Sequence, residues 1–275
     1  MKKSIKTKLY SAGITLALGG LQLSHAVVLI QDDFTVLNGG TGFSSDFMPT
    51  SQLNTVDPLD PDVSIVDGVY TTTGTSFTSR NFISSLSDLA AAEGVTTLYL
   101  GVDFGLTDGG SGFAGISLFT GDTDLDPGIN NETEHLLVGR LNGQRNHHLT
   151  APGITGTDPV LIGEGLARLV VELDLANNTA TLFGNGGSDA VTGELDQVDL
   201  NSDLINQVVG PDLGATDQFR IASAGNGGGR ELVVDNFIIA TTAEGVGAVA
   251  LVPEPSSTLL LGLGSLSLIL RRRRS

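Results

Sequence analysis

The sequence predicts an all-β fold, an antiparallel β-sandwich, carried between an N-terminal signal peptide and a single C-terminal membrane helix. Three observations lead there. Apolar or alternating runs recur at 27–36, 63–72, 97–104, 113–119, 135–141, 166–175, 179–183, 218–222 and 231–240, and period-two alternation over such lengths marks a half-buried strand. Turn clusters separate the runs: Asp67-Gly68, 107–110, Asn142-Gly143, Asn177-Asn178, 185–187 and 226–229. These residue types supply the positive φ that tight hairpins need. Only 84–93 and 200–209 read as helical, and both are short enough to be connectors. That disfavours a parallel α/β sheet, which needs long crossover helices.

The first segment is 1–26. Lys2, Lys3, Lys6 and Lys8 form a basic n-region, 14–23 an apolar h-region, and Ser24-His25-Ala26 a small-x-small site. Cleavage is expected after Ala26, so the mature chain starts at Val27. The stretch 9–23 is short for a retained membrane helix and is broken by Gly13, Gly19 and Gly20. The body, 27–242, has the size of one single-core sandwich. Within it 166–183 alternates on both sides of Asn177-Asn178 as a regular hairpin should, and 113–121 followed by 134–140 forms a second strand pair. A linker is expected over 243–252, followed by the tail, 253–275.

The tail opens with Pro253-Glu254-Pro255, continues as an apolar run to Leu270, and ends on Arg271, Arg272, Arg273 and Arg274 before Ser275. As a helix, 256–270 would cover roughly 22 Å, short of a bilayer core of about 30 Å. The arginines extend it by snorkelling, and because basic flanks are retained in the cytoplasm they leave everything before Pro253 outside. Proline fixes φ, lacks an amide proton and pushes its predecessor to extended geometry, so Val252 and Glu254 are held open as a protease requires. A plain membrane anchor would carry such an element only by chance.

In order and spacing this tail resembles the PEP-CTERM sorting signal of exported proteins in Gram-negative bacteria that possess an exosortase. The resemblance implies two partners, the export machinery and an exosortase-like membrane enzyme with a catalytic cysteine that acts near Pro253, Glu254 and Pro255. It also implies a precursor held in the inner membrane with its domain outside, and a mature form at the cell surface or in the extracellular polysaccharide matrix of a biofilm. The two hairpins, with Asp33-Phe34 near the start and Val234-Asp235-Asn236-Phe237 near the end, resemble the concanavalin-like (laminin-G-like) jelly roll over roughly 30–242. In that fold first and last strands are often neighbours, which would set Phe34 and Phe237 on paired strands as core aromatics. Such sandwiches often hold glycans, so a carbohydrate-binding module, with extracellular polysaccharide as partner, is the alternative function. The domain has no tryptophan and only Tyr70 and Tyr99 as tyrosines, which leaves few platforms for sugar rings.

Charge narrows the partners. All four lysines lie in the leader and four of ten arginines in the tail, leaving six arginines against thirty acids, a net of −24. Phosphate binding needs a basic surface, so nucleic acid is excluded as a partner. Zero cysteines exclude disulfides, thiolate metal sites and a cysteine nucleophile.

Catalysis is poorly served. Glu172-Leu-Asp174-Leu-Ala-Asn177 nearly spells the Glu-x-Asp-x-x-Glu strand of laminarinase-like glycosidases, a third reading for the chain. A retaining mechanism needs a second carboxyl about 5–5.5 Å from the first. Asn177 stands where the acid should be, and an amide cannot protonate a leaving group. Neighbours on a strand point to opposite faces, so His147 and His148 would chelate one ion only from a loop, and His135 begins a strand. The chain is expected to be no enzyme and to need no cofactor. Calcium is the one ligand carried forward: Asp122, Asp124 and Asp126 alternate as in a calcium loop, although Pro127 takes the glycine position and Thr133 that of the bidentate glutamate. Asp57, Asp60 and Asp62 form a second, less regular acidic loop.

Overall fold

Val27 is tied to Thr241 by two hydrogen bonds. Its N–H donates to Thr241 Oγ1 at 3.0 Å, and its carbonyl accepts from Thr241 N at 3.0 Å. The computed structural model describes residues 26–35, 40–44, 47–49, 63–73, 76–106, 112–121, 133–140, 147–151, 165–184, 198–200, 204–209, 212–225 and 231–249. The expected leader before Ala26, the tail from Pro253 and both acidic loops lie outside these residues.

The strands run in chain order as β1 (Val28–Asp32), β2 (Met48–Pro49), β3 (Val63–Val66), β4 (Val69–Thr73) and β5 (Ser76–Asn81), followed by the helix α1 (Leu86–Glu93). Next come β6 (Thr97–Leu106), β7 (Gly112–Thr120), β8 (Thr133–Arg140), β9 (His147–Thr150), β10 (Gly165–Asp174) and β11 (Thr179–Gly184). The chain closes with β12 (Val198–Asp199), β13 (Leu204–Val209), β14 (Gln218–Gly225), β15 (Glu231–Ala240) and β16 (Ala248–Val249). Two 3-10 turns, Leu213–Ala215 and Ala243–Val246, complete the described elements.

Two antiparallel sheets form the sandwich. One is ordered β13-β11-β10-β6-β15-β4-β3, with β1 also on β15; the other is β2-β5-β14-β7-β8-β9. The chain repeatedly crosses between them, from β4 to β5 to β6 to β7 and again from β13 to β14 to β15, which is the winding of a jelly roll. First and last long strands pair as expected, with Asp32 opposite Phe237; Phe34, expected on the first of them, instead lies two residues past the end of β1 at φ 51°, although it is a core aromatic. Along β15 the partner changes from β4 at 231–234 to β1 at 237–240, and the register shift between Asp235 and Ile238 falls at that junction. The hairpin expected around Asn177-Asn178 is present in full register from Leu169↔Gly184 to Asp174↔Thr179, and β7 pairs β8. Asp67 and Gly68 take positive φ of 53° and 82° at the β3–β4 turn, the mirror-image geometry that suits strand twist.

The helix expected at 84–93 forms over Leu86–Glu93. Ser85 caps it, accepting from Asp88 N at 3.2 Å and donating to Asp88 Oδ2 at 2.8 Å, and Gly94 ends it in the left-handed region. The second expected helix is corrected: within 200–209, Leu204–Val209 is a strand that pairs with β11 from Thr179↔Val209 to Phe183↔Leu204. Its polar start and apolar spacing imitate a helix. The open edge of β11 supplies ladder hydrogen bonds that outweigh local propensity.

Between the sheets lies the main core, including the fully buried Phe34, Tyr70, Phe104, Phe219 and Phe237. Phe219 and Phe237, one from each sheet, stack at 4.4 Å between centroids. They are the inward aromatics the alternation of β14 and β15 predicts.

Candidate functional site

The outer face of the eight-stranded sheet carries a second, smaller core. Outward residues Val170, Phe183 and Ala240 pack with Val198 and Leu200 against Ala243, Val246 and Ala248, with Tyr99 and Ile238 at the margin. Of the stretch 243–252 expected as a linker, Ala243–Val249 is therefore packed structure. Its 3-10 turn lies over Gly101, where a Cβ would meet Val246 Cβ at 2.7 Å. β16 runs parallel to β12, Val198 opposite Ala248 and Asp199 opposite Val249.

A charged cluster pins this segment. Asp103, Arg168 and Asp235 face one another across β10, β6 and β15. Arg168 forks onto Asp103 through Nε and, at 2.7 Å, Nη2, while its Nη1 donates to the Val246 carbonyl at 3.0 Å. Asn236, at φ 49°, donates from Nδ2 to Asp103 Oδ2 at 2.8 Å. Burial pushes the Asp235 carboxyl above the usual range, and the Asp103 charge adds to that push against the pull of Arg168. No local pattern marks this cluster, because it depends on the register of three strands distant in the chain.

Beside it sit the glycosidase-like residues. Asp174 and Glu172 share the outward face of β10, as spacing predicts. Asp174 Oδ1 accepts from the amides of Ala176 and Asn177, both at 3.1 Å, and Oδ2 from Asn177 Nδ2 at 2.7 Å. The Asn177 side chain is foremost in holding its carboxyl below the ordinary value. Glu172 accepts from Tyr99 Oη at 3.3 Å. Burial first, and then the Glu172 charge, push the Tyr99 hydroxyl up to about 12. Asp174 and Asn177 thus belong to a hairpin turn.

His135 is buried in β8. Thr120 Oγ1 donates to the Ala215 carbonyl at 2.6 Å, so at its 2.6 Å contact with His135 it accepts from Nε2–H. The ring is then the Nε2–H tautomer, and its buried Nδ1 has no hydrogen-bond partner. Burial pushes the pKa below the usual histidine value, against a smaller opposite pull from Asp212. His147 and His148 open β9, paired to Arg140 and Gly139. Among the described residues no three histidine, aspartate or glutamate side chains gather as a metal site requires.

The arginines whose side chains are described are engaged within the fold. Arg80 pairs with Asp32, Arg168 with Asp103, and Arg220 lies 4.1 Å from the Phe119 ring centroid.

Residues 251–274 match the PEP-CTERM protein-sorting motif, which includes Pro253, Glu254, Pro255 and Arg271–Arg274. No curated protein matches the chain in sequence. Among solved structures, the Lotus tetragonolobus seed lectin is similar at TM-score 0.46 and 10% identity, over 78% of this chain and 98% of the lectin. Lectin II from Ulex europaeus is similar at TM-score 0.46 and 14% identity, over 78% and 97%. A sialidase is similar at TM-score 0.43 and 10% identity over 66% of this chain, which spans 16% of the sialidase's length. At such identity and overlap neither a ligand nor a site residue passes from them to this chain.

Proposed function

We propose that the chain is the precursor of an exported surface protein, carried out by the export machinery, trimmed after Ala26 and processed at its tail by an exosortase. The sandwich is the non-catalytic, acidic part left outside, at the cell surface or in the extracellular polysaccharide matrix. The sorting motif at 251–274 carries this reading. The use of Asp174 as a turn cap supports the non-catalytic part.

Intact-mass measurement of the protein recovered from the surface and medium of an exosortase-bearing host tests it. The expected product starts at Val27 and lacks Arg271–Arg274; a product retaining Met1 and Ser275 overturns the reading. A glycan array with and without calcium tests the domain's role. Binding to a defined polysaccharide would replace the structural role with a carbohydrate-binding one, and calcium dependence lost on replacing Asp122, Asp124 and Asp126 by Asn would assign the ion to that loop.

A further inference from the structure

Only three residues, Ala250, Leu251 and Val252, separate the end of β16 at Val249 from Pro253. Four peptide steps reach at most about 14 Å when fully extended. An enzyme that takes its substrate as an extended strand needs several residues on each side of the bond it attacks. Residues that would serve on the N-terminal side are already held by the fold. Ala243, Val246 and Ala248 are buried on the sheet, Val246 O accepts from Arg168, and β16 is paired to β12. This hold is slight beside that of the sandwich. The β12–β16 ladder is two residues long, the buried side chains are small, and among the described residues the segment is the last packed piece before the tail. Such a piece opens at far lower cost than the whole domain.

We propose that Ala243–Val249 is a strap: docked on the outer face of the eight-stranded sheet it withholds the tail from the processing enzyme, and its release admits the tail. The strap rests on the sorting reading above. The observed processing rate is then the intrinsic rate multiplied by the released fraction.

The chain has no cysteine, so the double variant Val198→Cys, Ala248→Cys introduces one disulfide between register neighbours of the strap and the body. In the full-length chain, followed by pulse-chase and intact mass in an exosortase-bearing host, the oxidised variant should be processed at least about tenfold more slowly, because pinning removes nearly all of the released fraction. Reduction should restore the wild-type rate, which also shows that the variant folds. Val246→Ala, which loosens the strap without blocking it, should be processed severalfold faster. An oxidised double variant processed at the wild-type rate overturns the strap while leaving the sorting reading intact. A wild-type chain that is never processed removes the sorting reading and the strap with it.

Discussion

Arg80 on β5 and Asp32 on β1 join the two sheets through the core, with Nη1 2.5 Å from Oδ2 and side-chain exposures of 4% and 0%. The guanidinium also lies 3.9 Å from the Phe43 ring centroid and 4.9 Å from that of Phe47. Two more side-chain bonds cross the same interior: Tyr70 Oη with Thr78 Oγ1, and Thr72 Oγ1 with Ser223 Oγ at 2.8 Å. Burial still pushes the Asp32 carboxyl up, against the Phe34 amide and the Arg80 charge.

Breaking that ion pair from one side strands a buried charge. Arg80→Met should cost about 3–5 kcal/mol, whereas Arg80→Met combined with Asp32→Leu should recover most of the loss. Urea midpoints of the two variants and the wild type check this.

His135 sets a pH dependence of defined sign. Its folded pKa lies below the ordinary 6.5, so the unfolded chain takes up the proton first. Its contribution is complete above about 6.5 and is lost as pH falls through the window below, at up to about 1.4 kcal/mol per pH unit. His135→Gln should flatten that part of the profile, as measured by urea midpoints between pH 7.5 and 5.

At Gly101 a side chain has no room while Val246 is docked. Gly101→Val should lift Ala243–Val249 at a cost of about 1–3 kcal/mol, with the sandwich intact. Hydrogen exchange should quicken at 245–249 and stay slow in the core of β6.

Asp174→Ala should destabilise the domain by about 1 kcal/mol through loss of the turn's hydrogen bonds, while Glu172→Gln should change stability little. The wild type and both variants should leave a β-glucan uncleaved. Hydrolysis that disappears with Glu172→Gln would restore the glycosidase reading.

Replacing Arg271–Arg274 by glutamine removes the cytoplasmic anchor of the tail. The variant should pass into the medium with the apolar segment still attached, seen as a mass that includes Ser275. Replacing Pro253 and Pro255 by alanine should instead leave uncut precursor in the membrane fraction.

Much of the sandwich could be read from local signals. The β10–β11 hairpin follows from alternation on either side of Asn177-Asn178, and α1 from a serine cap and a terminal glycine. The β1–β15 neighbourhood was expected from the jelly-roll resemblance. Strand β5, Ser-Phe-Thr-Ser-Arg-Asn, escaped because its inward positions Ser76, Thr78 and Arg80 are polar and buried, the inverse of the usual pattern. For Thr78 and Arg80 the compensation is a partner from the other sheet, which no local window contains. Strand β13 escaped for a related reason, since its pairing edge belongs to β11.

The sequence alone determined where the chain is addressed, because a sorting tail is read by its linear order of prolines, apolar residues and arginines. It also determined that the body is an acidic β-sandwich, since alternation and turn chemistry are local properties. Only the tertiary structure decided that 243–249 belongs to the body, that Asp174 serves a turn, and that Arg80, Arg168 and Arg220 are engaged within the fold. Each of these depends on register between strands far apart in the chain, where a shift of one residue exchanges the inner and outer faces.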